Sequence, residues 1–294
     1  MNLKYSYFPG CSLDASAVAY ALSIKAIAGV LGVELAELED WNCCGASPYS
    51  SLDTLICSCI SARNLSLAEK TGLDLVTACS SCYSVLGKTN SLLRESPQLK
   101  EEVDEALAAG GLEYHGGVRV RHLANVLVQD VGYEAIAAKA KRNLDELRVA
   151  VYYGCQLVRP GGGFDDPEFP QSLDRLIESL GATAVHFPLK SRCCGGSLVI
   201  AEESIALGLI RKLLDSAAAN GAECIITVCP LCQTNLDVYQ GRVNRKFKTH
   251  YDMPILFLTQ LVGMALGLGS KELGIDRGMV SARKLLSRYQ KLGG

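Results

Sequence analysis

Cys43-Cys44-Gly45 followed by Cys79-Ser80-Ser81-Cys82 returns in the second half of the chain as Cys193-Cys194-Gly195 followed by Cys229-Pro230-Leu231-Cys232. Adding 150 to Cys43, Cys44, Cys79 or Cys82 gives its counterpart. An earlier cysteine joins each copy, Cys11 in the first and Cys155 in the second, at an offset of 144. Ten of thirteen cysteines thus form one five-thiol pattern written twice, which predicts a duplicated domain.

Strand-like and helix-like runs alternate around that pattern. The strands expected in the first copy are 4–8, 33–38, 73–78 and 118–122, and in the second 149–153, 184–187, 224–228 and 255–258. Between them lie runs of helical period, such as Ile205, Leu209, Leu213 and Ala217 opposite Glu202, Arg211, Lys212 and Asp215. Such alternation predicts an α/β fold of two tandem, doubly wound parallel-sheet domains related by pseudo-two-fold symmetry. The cysteines follow the C-terminal ends of the strands, the edge at which open α/β sheets bind ligands. A polar stretch at 138–147 marks the junction, giving domains of 1–145 and 146–294. The run Arg159-Pro160-Gly161-Gly162-Gly163 reads as a loop, and residues 279–292 as a basic amphipathic helix.

Composition narrows the function. Hydrophobic residues make up 49% of the 294 and charged residues 20%, with a formal charge of −2 and no polybasic run. Nucleic acid and anionic membrane are therefore not the expected partners. The N-terminus lacks the apolar stretch of a signal peptide, and the longest apolar segment, 253–269, is broken by Pro254, Thr259 and Gln260. The expectation is a cytoplasmic chain without membrane insertion, where clustered cysteines more often bind metal than form disulfides.

Five thiols per copy, two of them adjacent, exceed the four ligands of a structural zinc tetrahedron and suit a larger cluster with a bridging thiolate. The ferredoxin spacing is absent, so iron–sulfur is favoured over zinc without pointing to a common cubane. Cys57, Cys59 and Cys224 have no counterparts: adding or subtracting 150 gives Leu207, Leu209 and Asp74. Cys57 and Cys59 also point about 200° apart on a helix. These three are read as small packing residues. His122 closes a strand at the ligand edge, where it either bonds a cluster or substrate sulfur or, more commonly for such a residue, is satisfied in the core. Lys190 and Arg192 precede Cys193 where copy one has Asp40 and Asn42. With Arg159 they are candidates for a basic wall facing an anionic substrate, against the plainer reading of solvated surface charge.

The doubled C-C-G … C-x-x-C pattern resembles the cysteine-rich CCG domain over essentially the whole chain. Two intact copies, with no ferredoxin motif or flavin domain attached, look most like the B-subunit family of the heterodisulfide reductases. Residues 253–268 resemble the C-terminal region of those B subunits. The resemblance implies two noncubane [4Fe–4S] clusters, one on Cys11, Cys43, Cys44, Cys79 and Cys82, the other on Cys155, Cys193, Cys194, Cys229 and Cys232. It further implies reductive cleavage of a small-molecule disulfide of the coenzyme M–coenzyme B type, bound between the clusters at the domain interface. Its implied partners are the ferredoxin-like C subunit of heterodisulfide reductase together with the flavin-containing A subunit. The alternative is an iron–sulfur relay in a sulfur-, lipoate- or lactate-linked oxidation complex.

Overall fold

The computed structural model describes residues 3–46, 49–159 and 164–290. It contains two four-stranded, wholly parallel sheets. The first comprises β1 (Leu3–Phe8), β2 (Val33–Glu37), β3 (Leu75–Thr77) and β4 (Val120–His122), in the order β2-β1-β3-β4. The second comprises β5 (Arg148–Tyr152), β6 (Thr183–Ala184), β7 (Cys224–Thr227) and β8 (Ile255–Phe257), in the matching order β6-β5-β7-β8. Registers match as well: Leu75 pairs Val120, and Ile225, 150 residues after Leu75, pairs Ile255. All eight expected strands exist, most of them shorter by a residue or more. The largest shift is β6, which stops at Ala184 rather than running to Phe187.

Both faces of each sheet are covered, so inner strands such as β7 read as continuous apolar runs, and alternate strand residues enter different cores. Tyr5 and Tyr7, Val149 and Val151, and Ile226 point into one core; Phe8, Ala150, Tyr152 and Ile225 point into the other. The first core is continuous between the copies. There the helix α2 (Val18–Leu31) packs on α8 (Leu258–Ala265), and Tyr20 stacks on Phe257 with ring centroids 4.0 Å apart and planes 3° from parallel. Ser23 Oγ and Thr259 Oγ1 hydrogen-bond across the same seam at 2.6 Å. Leu144 and Leu147, in the stretch read as a junction, are fully buried in this core.

The remaining helices that matter here are α1 (Cys11–Asp14), α3 (Thr54–Glu69), α4 (Ser80–Glu95), α5 (Cys155–Val158), α6 (Glu203–Ala219) and α7 (Pro230–Val238). The helix expected from the 205–217 periodicity is α6, but its buried stripe is turned by about one residue. Ala206, Ile210, Leu213 and Ala217 are inside, whereas Ile205 is 56% exposed. A wide apolar stripe leaves the sequence unable to choose between adjacent facings. The C-terminal helix α9 (Arg283–Gln290) begins at Arg283 rather than at 279, and residues 291–292 of the expected helix lie outside the described residues. Met279 and Val280 instead form a bend whose backbone N–H groups donate to the Asp237 carboxylate at 2.8 and 2.9 Å. Residues 160–163 of the glycine-rich stretch lie outside the described residues. Among the described residues no helix is long and apolar enough to cross a membrane.

Candidate metal centre

Each copy delivers its cysteines from the C-terminal ends of three strands of its sheet. β1 ends at Phe8 and hands the chain through Gly10 to Cys11 at the start of α1; β5 ends at Tyr152 and does the same through Gly154 and Cys155 at the start of α5. Both glycines have positive φ, 77° and 70°. A Cβ on Gly10 would lie 3.0 Å from Cys82 Sγ, and one on Gly154 3.4 Å from Cys232 Sγ. The turn therefore needs glycine twice over, for its left-handed backbone and for the sulfur that closes against it. The C-x-x-C pairs open α4 and α7, with Cys79 and Cys229 as the residues before the first turn. Backbone N–H groups at such helix starts favour negative charge.

The ten thiols form a single string. From one end, Cys11 Sγ lies 3.9 Å from Cys43, Cys43 meets Cys44, and Cys44 Sγ is 3.2 Å from Cys82, which meets Cys79. Cys79 then hydrogen-bonds Cys229 of the other copy. The order reverses from there: Cys229 meets Cys232, Cys232 is 3.5 Å from Cys194, and Cys194 leads through Cys193 to Cys155. The string is a palindrome about the Cys79–Cys229 contact. Its middle is buried and its ends emerge: Cys44, Cys79, Cys82, Cys194, Cys229 and Cys232 are buried, Cys155 half-buried, and Cys11, Cys43 and Cys193 exposed.

Hydrogen bonding within the string shifts the thiols apart. Hydrogen bonding with Cys43 and then Cys82 holds Cys44 down at about 4. Donation from Cys155 and Cys194 holds Cys193 at about 2, and Cys232 and Cys79 keep Cys229 well below the ordinary thiol value. A thiolate stabilised in this way is the form that binds metal. Among the described residues no three or more His, Cys, Asp or Glu side chains converge on a single-ion site. An extended, all-sulfur donor set divided five and five fits iron–sulfur clusters by its softness and its reach.

The unrepeated cysteines stand apart from the string. Cys224 is fully buried in β7 and Cys57 is 7% exposed on α3, while Cys59 is half-buried. Cys57 Sγ sits 3.9 Å from the Gly45 carbonyl, behind the loop that carries Cys43 and Cys44.

The candidate substrate contacts are not brought together. His122 is fully buried: its Nδ1 accepts the Ala124 N–H at 3.1 Å and its Nε2 is 3.4 Å from Ser80 Oγ. Burial pushes its pKa down to about 4, so the ring is neutral, and it lies in the seam rather than at a surface. Lys190 is withdrawn from any wall. Its Nζ is 2.5 Å from the Asp174 carboxylate and 3.1 Å from the Pro170 carbonyl, above the Tyr153 ring, with the side chain only 15% exposed. Arg192 is exposed, but Arg159 faces a different set of groups. Arg159 lines a cleft of about 800 Å³ between α4 of copy one and α5 of copy two, together with Cys155, Lys88, Arg94 and Arg119. Three of these basic residues come from copy one, and nothing in their local sequence marks them. Of the ten thiols the cleft lining includes only Cys155, so the cleft reaches the string at its end rather than at its centre.

Comparison with known proteins agrees with this architecture. The cysteine-rich CCG domain family matches twice, over residues 5–87 and 149–237. The 8-methylmenaquinol:fumarate reductase membrane anchor subunit of Wolinella succinogenes is 39% identical over 287 residues, 97% of this chain and all of that protein. The B subunit of the ferredoxin/F420H2-dependent CoB–CoM heterodisulfide reductase of Methanosarcina acetivorans is 31% identical over 98% of both chains. A protein of Archaeoglobus profundus described as like the heterodisulfide reductase B subunit is 33% identical over 90% of this chain and 91% of its own. In fold alone, a hypothetical protein from Helicobacter pylori superposes with a TM-score of 0.79 at 19% identity, over 95% of this chain and 52% of that one. Two parallel-sheet units, each with its own CCG match, and full-length relatives among oxidoreductase subunits lead to one assignment: the chain belongs to the cysteine-rich CCG-domain family, among the iron–sulfur proteins of the heterodisulfide reductase B type.

Proposed function

We propose that the chain is the iron–sulfur subunit of a heterodisulfide reductase-type complex in which a small-molecule disulfide is cleaved to two thiols. The observation that carries this reading is the ten-thiol string, which splits into two equal five-cysteine sets and comes to the surface beside a small-molecule-sized cleft. Cys11, Cys43, Cys44, Cys79 and Cys82 in residues 1–145 would hold one cluster. Cys155, Cys193, Cys194, Cys229 and Cys232 in residues 146–294 would hold the other. Cleaving a disulfide takes two electrons and two protons, and a pair of noncubane [4Fe–4S] clusters would supply one electron each. The residues of the chain contribute by keeping the inner thiols dry, by aligning the two sets across one buried contact, and by leaving Cys155 open to the cleft. His122, buried and neutral, is not placed to hand a proton to substrate. Electrons would arrive through the ferredoxin-like C subunit from the flavin-containing A subunit.

A second reading follows from the 39% identical relative, whose name is that of a menaquinol:fumarate reductase component. In it the same string carries electrons between partner proteins and meets no substrate. One experiment separates the two: anaerobic turnover of the iron-replete chain with reduced viologen, offered coenzyme M–coenzyme B heterodisulfide and other small disulfides. Selective consumption of one disulfide supports the reductase. No consumption of any disulfide, with both clusters present by iron and sulfide analysis, refutes it in favour of the relay.

A further inference from the structure

The loop that carries the paired cysteines is held in both copies, but by different side chains. In copy one Ser61 Oγ on α3 donates to the Cys44 carbonyl at 2.8 Å. In copy two the donor is Asn235 on α7, whose Nδ2 reaches the Cys194 carbonyl at 3.2 Å and the Gly196 carbonyl at 2.9 Å. The amide does one thing more. Its Nδ2 lies 3.5 Å from Cys194 Sγ, a hydrogen-bonding distance for an atom as large as sulfur. The 150 offset relates Asn235 to Val85, which has no polar side-chain atom to offer. Backbone donors, by contrast, match: Gly45 serves Cys43 as Gly195 serves Cys193, and Ala46 serves Cys44 as Gly196 serves Cys194. Among the described residues Asn235 is the one side-chain amide or hydroxyl that hydrogen-bonds any of the ten sulfurs. It is 1% exposed, and its Oδ1 has no partner among the described residues. An unpaired buried acceptor is a cost to stability that valine, as in copy one, would avoid.

Charge leans the same way. The 144 offset takes Asp14, three residues after Cys11, to Val158, and Ala15 to Arg159. Arg159 adds to the hydrogen bonds of Cys155 and Cys194 in favouring the Cys193 thiolate. Arg192 before Cys193 answers to Asn42 before Cys43. Lys190 and Asp40, one in each copy, are offset by Asp174 and Arg63 and cancel. Reduction adds negative charge to a cluster and its sulfurs, so an N–H donor and nearby cations raise its potential.

We propose that Asn235 sets the redox order of the two cysteine sets: by donating to Cys194 Sγ it makes a cluster on Cys155, Cys193, Cys194, Cys229 and Cys232 the easier of the two to reduce. This rests on the proposed assignment of five cysteines to each cluster, and it holds whether the chain reduces a disulfide or relays electrons. The first electron then resides in copy two, next to the cleft that opens at Cys155. An electron delivered to copy one by a low-potential donor runs downhill through the Cys79–Cys229 contact, oxidising the first cluster by one electron and reducing the second by one.

The test is an anaerobic redox titration of the iron-replete full-length chain with dithionite, followed by visible absorbance and EPR, with no disulfide present. The parent should reduce in two separate one-electron steps. Asn235→Val, which installs the copy-one residue, should shift the upper equilibrium about tenfold toward the oxidised form, about 59 mV for one electron, and leave the lower step in place. Ser61→Ala removes a carbonyl hold of the same kind without a sulfur contact, and should move neither step. Where Asn235→Val fails to hold its cluster, Val85→Asn reads the effect from the other side: it should raise the lower step about tenfold and narrow the gap, and in that case an unmoved lower step overturns the inference. A single midpoint for both clusters, an upper step unmoved in Asn235→Val, or an equal shift in Ser61→Ala would each overturn it as well. Fewer than two clusters by iron and sulfide analysis would overturn both this inference and the cluster assignment beneath it. Disulfide turnover is measured separately, so its absence beside two separated steps would refute the reductase reading and leave the redox order standing.

Discussion

Replacing Tyr20 by alanine tests whether the two copies share a core or merely touch. Tyr20 is 1% exposed on α2 of copy one, and its ring lies flat on Phe257 at the end of β8 in copy two. Truncating a buried aromatic to alanine costs about 3–5 kcal/mol, the lost transfer energy plus the cavity left behind. The aromatic pair adds roughly 0.5–1.5 kcal/mol within that figure. By contrast, the hydroxyl reaches the Val228 carbonyl only at 3.5 Å, so Tyr20→Phe should cost less than about 1 kcal/mol. At about 2–4 °C per kcal/mol for chains of 150–250 residues, the alanine variant should melt on the order of 10 °C lower. Thermal and urea unfolding followed by circular dichroism and by tyrosine fluorescence would measure it. Since Leu144, Leu147 and the seam belong to one buried cluster, the whole transition should move as a unit in both probes. A loss below about 1 kcal/mol, or two transitions of which only one moves, would refute the shared core. A double-mutant cycle with Phe257→Leu should return the pair energy as coupling.

Three further outcomes are expected. Cys44→Ala and Cys194→Ala should each lower iron and acid-labile sulfide by about half relative to the parent, whereas Cys57→Ala should leave both unchanged; equal loss in all three would overturn the division into five and five. Gly263→Ala should destabilise strongly, about 1–3 kcal/mol or more by overpacking, because the new methyl would fall 2.2 Å from Leu273 in the seam; unchanged urea unfolding would contradict the packing there. His122 has its folded pKa depressed from 6.5 to about 4, so the unfolded chain takes up the proton first and stability falls as pH drops from 6.5 toward 4. Between about pH 7 and 5.5 that loss is roughly 1.3 kcal/mol, and His122→Gln should flatten the slope by that amount; identical pH slopes in parent and variant would place the ring outside the buried seam.

The repeat made the strands and the placing of the ten cysteines after them readable from the sequence alone, because each copy checks the other; the order of the strands in each sheet came only with the fold. Local spacing carried Cys11 to the end of β1 and Cys79 to the start of α4. What it could not carry was the contact between Cys79 and Cys229, since identical copies say nothing about how they face each other. Lys190 illustrates the same limit: its partner Asp174 lies 16 residues earlier, and only the fold brings that carboxylate to the ammonium and removes it from the surface. The cleft was hidden for a related reason. Lys88, Arg94 and Arg119 sit on elements far from any cysteine motif of copy two, and they become neighbours of Arg159 only once α4 packs on α5.

That crossed packing has a consequence for ancestry. α4 of copy one lies on α5 of copy two, and α7 of copy two lies on α1 of copy one, so each half's first cysteine is flanked by a helix of the other half. A progenitor encoding a single copy would have had to pair with itself to enclose its thiols, presenting the same surface twice about a true two-fold axis. Joining the two genes end to end freed the halves from identity. From then on a substitution on one side no longer forced its mirror image on the other, which is the condition under which Lys88, Arg94 and Arg119 of one half could gather around a cleft with Arg159 of the other.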